Sequence, residues 1–152
     1  MWWSETIVVD RSLEQVHAAV ADANELLRWS AWQAATGYSC RIDGDGRSIG
    51  SAIVFVDRKG VVQGQQVLHA VEGDVVEYRL RNRGPGGREM TPHVTFTFED
   101  LDGAQTRVAL DFAATAPLPP IIRHTVEAVM GRKVRRLHIK DLEQLKQYVE
   151  SQ

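Results

Sequence analysis

The sequence has too few thiols and too sparse a histidine pattern to suggest a metal centre or a covalent cross-link. Cys40 is the only cysteine among 152 residues, which excludes an intramolecular disulfide and any metal site built from several cysteines. The five histidines show no H-x-x-x-H spacing, the spacing that places two imidazoles on one face of a helix. We therefore expect no metal ion and no cofactor.

Long apolar runs are also absent. No stretch approaches the roughly 18 residues of a membrane-spanning helix, and Met1-Trp2-Trp3-Ser4 lacks the basic and then apolar pattern of a secretion signal. Eighteen basic residues nearly balance twenty acidic ones, so the chain as a whole does not carry the charge of a nucleic-acid-binding protein. We expect a cytoplasmic protein with no transmembrane segment and no nucleic-acid partner.

The remaining composition is that of one globular domain over residues 1–152. Hydrophobic residues make up 43% of the chain and charged residues 25%, which are ordinary values that argue against disorder. A chain of this length buries about two-thirds of its surface on folding. It can therefore form a core without a disulfide or a metal.

The first 32 residues predict a strand followed by two short helices. Thr6–Val9 is rich in β-branched residues, which favour strands. Ser12 and Gln15 form a capping-box pattern for a helix over 12–21. Asp22 begins a second, similar pattern, and we expect that helix to end near Trp32.

From residue 38 to residue 112 the hydrophobic period is 2, which indicates strands. Short turns rich in glycine and aspartate separate the strands, so neighbours should be antiparallel. The glycine-rich run at 84–87 cannot be regular structure, and it lacks the lysine of a phosphate-binding loop. The pattern predicts six strands, at 38–42, 50–57, 61–71, 76–81, 94–98 and 108–112.

The last element is a long amphipathic helix over 121–149, about 42 Å in length. A helix is about 10 Å wide, whereas six or seven strands span roughly 30 Å. One helix can cover such a sheet only if the sheet curves around it. The space between them is then either filled by large side chains or left as an apolar pocket, and the pattern alone leaves both interpretations open.

Three segments resemble a known family. The run from Ala21 to Trp32 resembles the second helix of the START-like (SRPBCC) superfamily, of the polyketide cyclase/dehydrase and lipid-transport type. The run from Phe96 to Val108 resembles that family's hairpin before its final strand, and Leu142 to Glu150 resembles its closing helix. The order of the elements matches along nearly the whole chain.

The resemblance implies an α+β helix-grip fold, in which a curved seven-stranded antiparallel sheet surrounds the C-terminal helix, with two short helices after the first strand. It also implies that a hydrophobic small molecule such as a lipid, sterol or polyketide binds between sheet and helix. Most members are not enzymes, and a minority are aromatase/cyclases or dehydrases. We therefore keep three functions open: a carrier or sensor of a hydrophobic molecule, a polyketide cyclase or dehydrase, and a filled-core protein-interaction module.

The candidate ligand-binding residues are the large side chains expected on the inner face of the sheet, on the second helix and on the last helix. Each also has a structural interpretation, because inward aromatics are mostly core residues. We assign no catalytic residue. The candidates are Trp29, Trp32, Tyr38, Phe55, Tyr78, Phe96, Phe98, Phe112, Val126 and Met130.

Two charged features of the last helix have no assigned role. Asp141 lies in its apolar stripe, where the ordinary explanation is a salt bridge to a basic side chain or a drift of the stripe toward Leu142. The basic run at 132–136 gives the helix a local positive charge, which suits a solvated face, weak contact with anionic lipid, or an acidic partner. The roles of Trp2 and Trp3, the ligand and the oligomeric state are not specified by the sequence.

Overall fold

The structure is a computed structural model that describes every residue from Met1 to Gln152. Eight strands and four helices follow one another in the expected order, with the long helix last. Their bounds are Trp2–Val9 (β1), Leu13–Ala21 (α1), Ala23–Trp29 (α2), Trp32–Thr36 (α3), Ser39–Asp43 (β2), Ala52–Val56 (β3), Val62–Glu72 (β4), Val75–Arg83 (β5), Glu89–Met90 (β6), His93–Asp100 (β7), Thr106–Ala113 (β8) and Pro120–Glu150 (α4).

The strands form one antiparallel sheet in the order β1-β8-β7-β5-β4-β3-β2. This arrangement, with α4 against it, confirms the α+β helix-grip fold. The two-residue strand β6 was not expected, and it pairs with the end of β5. It forms because the glycine-rich run makes a tight turn at Pro85–Gly87, with Gly86 at a φ of 74°.

The two short helices begin as predicted, but the second ends early. Ser12 and Gln15 make both hydrogen bonds of a capping box at the start of α1. The helix that begins after Asp22 ends at Trp29, because Ser30 has an extended backbone with a ψ of 137°. A separate one-turn helix, α3, then begins at Trp32. The interruption leaves the backbone N–H of Ala31 without an intrahelical hydrogen bond.

The fully buried residues of α4 all lie in its C-terminal half. The buried residues of this helix are His138, Asp141, Leu142, Leu145 and Val149, and none precedes residue 138. Lys146 also donates a hydrogen bond to the Val8 carbonyl, which ties that half to β1. The N-terminal half therefore crosses the sheet with one side left uncovered. No helix in the structure is long and apolar enough to span a bilayer.

Tyr78 connects α1 to the middle of the sheet. Its side chain is 1% exposed, and its hydroxyl donates a hydrogen bond to the Val20 carbonyl at 2.6 Å. Burial raises the pKa of this phenol, chiefly by desolvation. The hydroxyl is therefore a neutral donor that fixes α1 on the sheet.

We expect Tyr78→Phe to lower the free energy of unfolding by about 1 to 2 kcal/mol, because it leaves the buried Val20 carbonyl without its donor. Urea denaturation at neutral pH measures this change. Tyr38→Phe is the matched control, since Tyr38 is only partly buried and its hydroxyl is not needed to hold two elements together. Equal stability of the two variants would contradict the anchoring role of Tyr78.

Candidate functional site

A cavity of about 380 Å³ lies between the concave face of the sheet, helices α2 and α3, and α4. Its walls are mostly apolar and come from all of these elements. The volume falls within the range of sites that bind small molecules, which are typically apolar with a few polar groups. The curved sheet and the single helix thus leave an open space instead of a solid core.

Seven of the ten candidate residues line this cavity. They come from the second and third helices, from the first half of the sheet, from β7 and β8, and from α4. Trp29 has a structural role as well, because its indole N–H donates to the Ala19 carbonyl at 2.9 Å. The seven are Trp29, Trp32, Tyr38, Phe55, Phe96, Phe112 and Met130.

Tyr78, Phe98 and Val126 do not line the cavity. Tyr78 is directed to α1 by its hydrogen bond to Val20. Phe98 lies against the imidazole of His17, with the ring centroids 5.3 Å apart, and therefore packs under α1. Val126 precedes Met130 by one turn, and Met130 is the first residue of α4 in the cavity wall.

The wall also contains polar residues that the sequence analysis did not select. They form two groups, one from β4 and β5 and one from the α2–α3 break together with α4. The hydrophobic pattern of β4 does not show which of its glutamines face the cavity, because glutamines occur on both faces of that strand. The residues are Gln63, Gln66, Asn82 and Arg83 in the first group, and Ser30, His138 and Asp141 in the second, to which α3 adds Gln33 and Thr36.

Asp141 is only 5% exposed, and neutral donors surround its carboxylate. The Ala31 N–H and the Trp32 indole N–H donate to its two oxygens at 2.7 Å and 2.9 Å, and the Ser30 hydroxyl lies at 3.4 Å. These partners replace the basic side chain that the sequence suggested. Burial raises the pKa of Asp141 to about 7, although the hydrogen bonds from Ala31, Trp32 and Ser30 oppose the increase.

His138, one turn before Asp141, is 3% exposed and packs between aromatic rings. The indole N–H of Trp3 donates to its Nδ1 at 3.0 Å, and its ring lies 4.9 Å from that of Phe112. Burial lowers the pKa of His138 to about 4, so the imidazole is neutral at pH 7. Since an indole can only donate, Nδ1 is the acceptor and the proton lies on Nε2, which makes no hydrogen bond to the protein.

Asn82 lies on the wall formed by β4 and β5. Its Oδ1 is buried and has no hydrogen-bond partner in the protein. A buried polar atom without a partner is costly, by about 1 to 3 kcal/mol. Near the cavity, the buried Oδ1 of Asn82 therefore lacks a partner in the protein, whereas the Nε2–H of His138 in the cavity wall is free to donate to a ligand.

Cys40 lies outside this wall. Burial raises the pKa of its thiol to about 11, so it remains protonated at neutral pH and is a poor nucleophile. The ionisable side chains that line the cavity are Tyr38, Arg83, His138 and Asp141.

The chain matches a family model described as polyketide cyclase / dehydrase and lipid transport over residues 3–150. This match confirms the family resemblance of the three segments. No curated protein matches the chain significantly.

Solved structures of the same fold include proteins from several bacteria. The Zhui aromatase/cyclase from Streptomyces sp. R1128 has a TM-score of 0.67 and 19% identity, covering 99% of this chain and 93% of its own. Protein CV1439 from Chromobacterium violaceum has a TM-score of 0.69 and 17% identity, with 98% and 96% covered. The di-domain aromatase/cyclase BexL from the BE-7585A biosynthetic pathway has a TM-score of 0.70 and 19% identity, and the match covers 99% of this chain and 46% of BexL. At these identities the comparisons establish the fold.

Asp141 and His138 should give opposite pH dependences of stability. The folded protein holds the Asp141 proton up to about pH 7, whereas an unfolded aspartate loses it near pH 4, so this residue lowers stability as the pH rises between those values. His138 takes up its proton only near pH 4 when folded but near pH 6.5 when unfolded, so it raises stability over nearly the same range. The two contributions should largely cancel.

We expect single substitutions to reveal each contribution. Relative to the native chain, Asp141→Asn should gain stability from pH 4 to 7, and His138→Asn should lose it from pH 4 to 6.5. Each slope can approach about 1.4 kcal/mol per pH unit, the limit for one proton. Chemical denaturation across this range measures both, with the exposed Asp43→Asn as the control for loss of one charge. Parallel profiles for all three variants would contradict the assignment.

Proposed function

The chain belongs to the polyketide cyclase/dehydrase and lipid transport family, and on this premise we propose that it binds a hydrophobic small molecule in the cavity between the sheet and α4. The observation that carries the proposal is the cavity of about 380 Å³ with its aromatic walls. A ligand there gains roughly 25 cal/mol for each Å² of apolar surface that it buries. The open volume disfavours the filled-core interaction module.

The size and polarity of the cavity limit the class of ligand. Its volume of about 380 Å³ and its mostly apolar wall suit a small, largely apolar ligand. The Nε2–H of His138, which has no partner in the protein, favours a ligand with a carbonyl or hydroxyl oxygen that can accept its hydrogen bond. We therefore propose a largely apolar, uncharged or weakly charged ligand with few polar groups.

The entrance that we propose lies between α3, the turn at Pro85–Gly87 and the N-terminal half of α4. Thr36 and Arg83 line the cavity there and are also exposed to solvent. Gly84 lies against the side chain of Met90, and a Cβ at this position would approach the Met90 sulfur to 2.5 Å. The close packing of this glycine keeps the turn against Met90 of β6.

Val134→Phe should weaken binding of cis-parinaric acid by about tenfold or more, because the added ring occupies cavity volume. The measurement is energy transfer from the tryptophans to the bound polyene, titrated to saturation. Val126→Phe is the matched control, since both valines are half-buried on the same helix but only Val134 lines the cavity. Equal affinities for the two variants, or no saturable binding to the native chain, would refute the proposal.

A cyclase or dehydrase activity is the second candidate, and the observation that favours it is Asp141 in the cavity wall. A carboxyl group with a pKa of about 7 is suited to exchange protons at neutral pH. The neutral Nε2–H of His138 can donate a hydrogen bond to a carbonyl oxygen and so stabilise negative charge that develops there. Together they could remove a proton beside a ketone and protonate the hydroxyl that leaves as water.

This second candidate predicts that Asp141→Asn abolishes, or lowers by at least 100-fold, the loss of water from a linear poly-β-ketone thioester, because general acid–base catalysis contributes factors of about 10² to 10⁴. Mass spectrometry of the products over time measures the rate, and the native pH–rate profile should show an ionisation near pH 7. Asp43→Asn should retain the native rate. If the native chain binds cis-parinaric acid but releases no water from the thioester, the result supports the carrier and excludes this activity for that thioester.

A further inference from the structure

The N-terminal half of α4 has an outward face that no other element covers. We define the α4 outer face as the exposed isoleucines and valine and the unpaired basic residues that share one side of the helix between positions 121 and 140. Ile121 is 92% exposed and Val129 is 69% exposed, values that are unusual for large aliphatic side chains. The face comprises Ile121, Ile122, Val129, Arg132, Lys133, Arg136, Ile139 and Lys140.

The basic residues of this face are unpaired. Of the six Lys and Arg residues between 121 and 140, Arg123 donates to the Leu118 carbonyl and Arg135 pairs with Glu5. The other four, which all belong to the α4 outer face, make no ion pair in the structure.

Acidic side chains are missing from the same face. Asp and Glu are absent from residues 121–140 except for Glu127, which turns inward, because its carboxylate accepts a hydrogen bond from the Ala116 N–H at 2.9 Å. Between residues 121 and 140 the outward side of α4 therefore carries basic and apolar side chains and the neutral Thr125, and no acidic one.

The apolar and basic residues occupy the same side of the helix. At 100° per residue, all eight lie within an arc of about 120°. A ligand surface that satisfies them must therefore offer negative charge and hydrocarbon side by side. A nucleic acid offers the charge but leaves the isoleucines in water, whereas the interface of an anionic bilayer offers both within 5 to 10 Å of depth.

We propose that the α4 outer face docks on an anionic lipid bilayer. The helix lies along the interface, with Ile121, Val129 and Ile139 among the acyl chains and Arg132, Lys133 and Arg136 at the headgroups. The inner side of the same helix carries Met130 and Val134 in the cavity wall, so docking places the cavity next to the bilayer. This last consequence rests on the proposed ligand binding, and the docking itself does not.

Vesicle binding tests the proposal. We expect the native chain to cosediment with vesicles of phosphatidylcholine containing about one-third phosphatidylserine, and only weakly with phosphatidylcholine alone. The triple variant Arg132→Gln, Lys133→Gln, Arg136→Gln should bind about 100-fold more weakly, since each basic residue near an anionic surface contributes about fivefold. Added salt should weaken native binding, because it screens exposed charges.

The matched control removes three positive charges from the outer surface of the sheet, by Arg79→Gln, Arg81→Gln and Arg107→Gln. These arginines are exposed and already paired with Glu77, Glu89 and Glu99, so this variant should bind nearly as the native chain does. The variant Ile121→Ser, Val129→Ser should keep the preference for phosphatidylserine but lose affinity, most clearly at high salt. All of these side chains are exposed, and circular dichroism verifies that each variant is folded.

Two results would overturn the proposal. One is a native chain with no preference for phosphatidylserine vesicles, and the other is an equal loss of binding in the triple variant and its control. Titration with cis-parinaric acid in the absence of vesicles separates this failure from failure of the cavity. A chain that binds the polyene but not the vesicles lacks the docking surface, and one that binds the vesicles but not the polyene lacks the ligand site.

Discussion

The difference in width between one helix and a broad curved sheet determines the rest of this structure. Leu142, Leu145 and Val149 are buried against the sheet, and they hold only the C-terminal half of α4. The N-terminal half of α4 still contacts β1, through Arg135 and Gly131, and its inner side chains Met130 and Val134 line the cavity. The cavity is the space that remains, and α2 and α3 close one side of it. A shorter helix would leave the concave face open to water, and a second helix would fill it.

The polar groups of the cavity depend on an irregularity in the chain. The break after Trp29 frees the N–H of Ala31, which then donates to Asp141. Trp32 begins the next helix and supplies the second donor. An aspartate buried without such donors would cost far more than one that accepts three hydrogen bonds. The break and the aspartate therefore require each other, and together they place an ionisable group among aromatic rings.

Much of the fold could be predicted from the sequence, because the period of the hydrophobic residues distinguishes helices from strands and the capping residues mark where α1 and α2 begin. The site was harder to predict. Phe96 and Phe98 alternate correctly and lie on the same face of β7, yet only Phe96 reaches the cavity, because α1 covers the sheet at Phe98. A strand pattern identifies the face of a residue and not the element that packs over it. For the same reason His138 gave no signal, since it acquires its role from Trp3, which is distant in sequence.

The two sides of α4 show how one amphipathic segment can serve two environments. Met130 and Val134 face the cavity, whereas Val129 and Lys133, each one position earlier, face outward. A helix that only covered a core would need no isoleucine at a position as exposed as Ile121, and a solvated helix face would ordinarily carry acidic residues among its basic ones. The α4 outer face fits neither description, because it exposes Ile121 and has no acidic residue among its basic ones. Its composition is explained if the segment lies between the cavity on one side and an anionic surface on the other. Only the thickness of one helix then separates the ligand in the cavity from that surface.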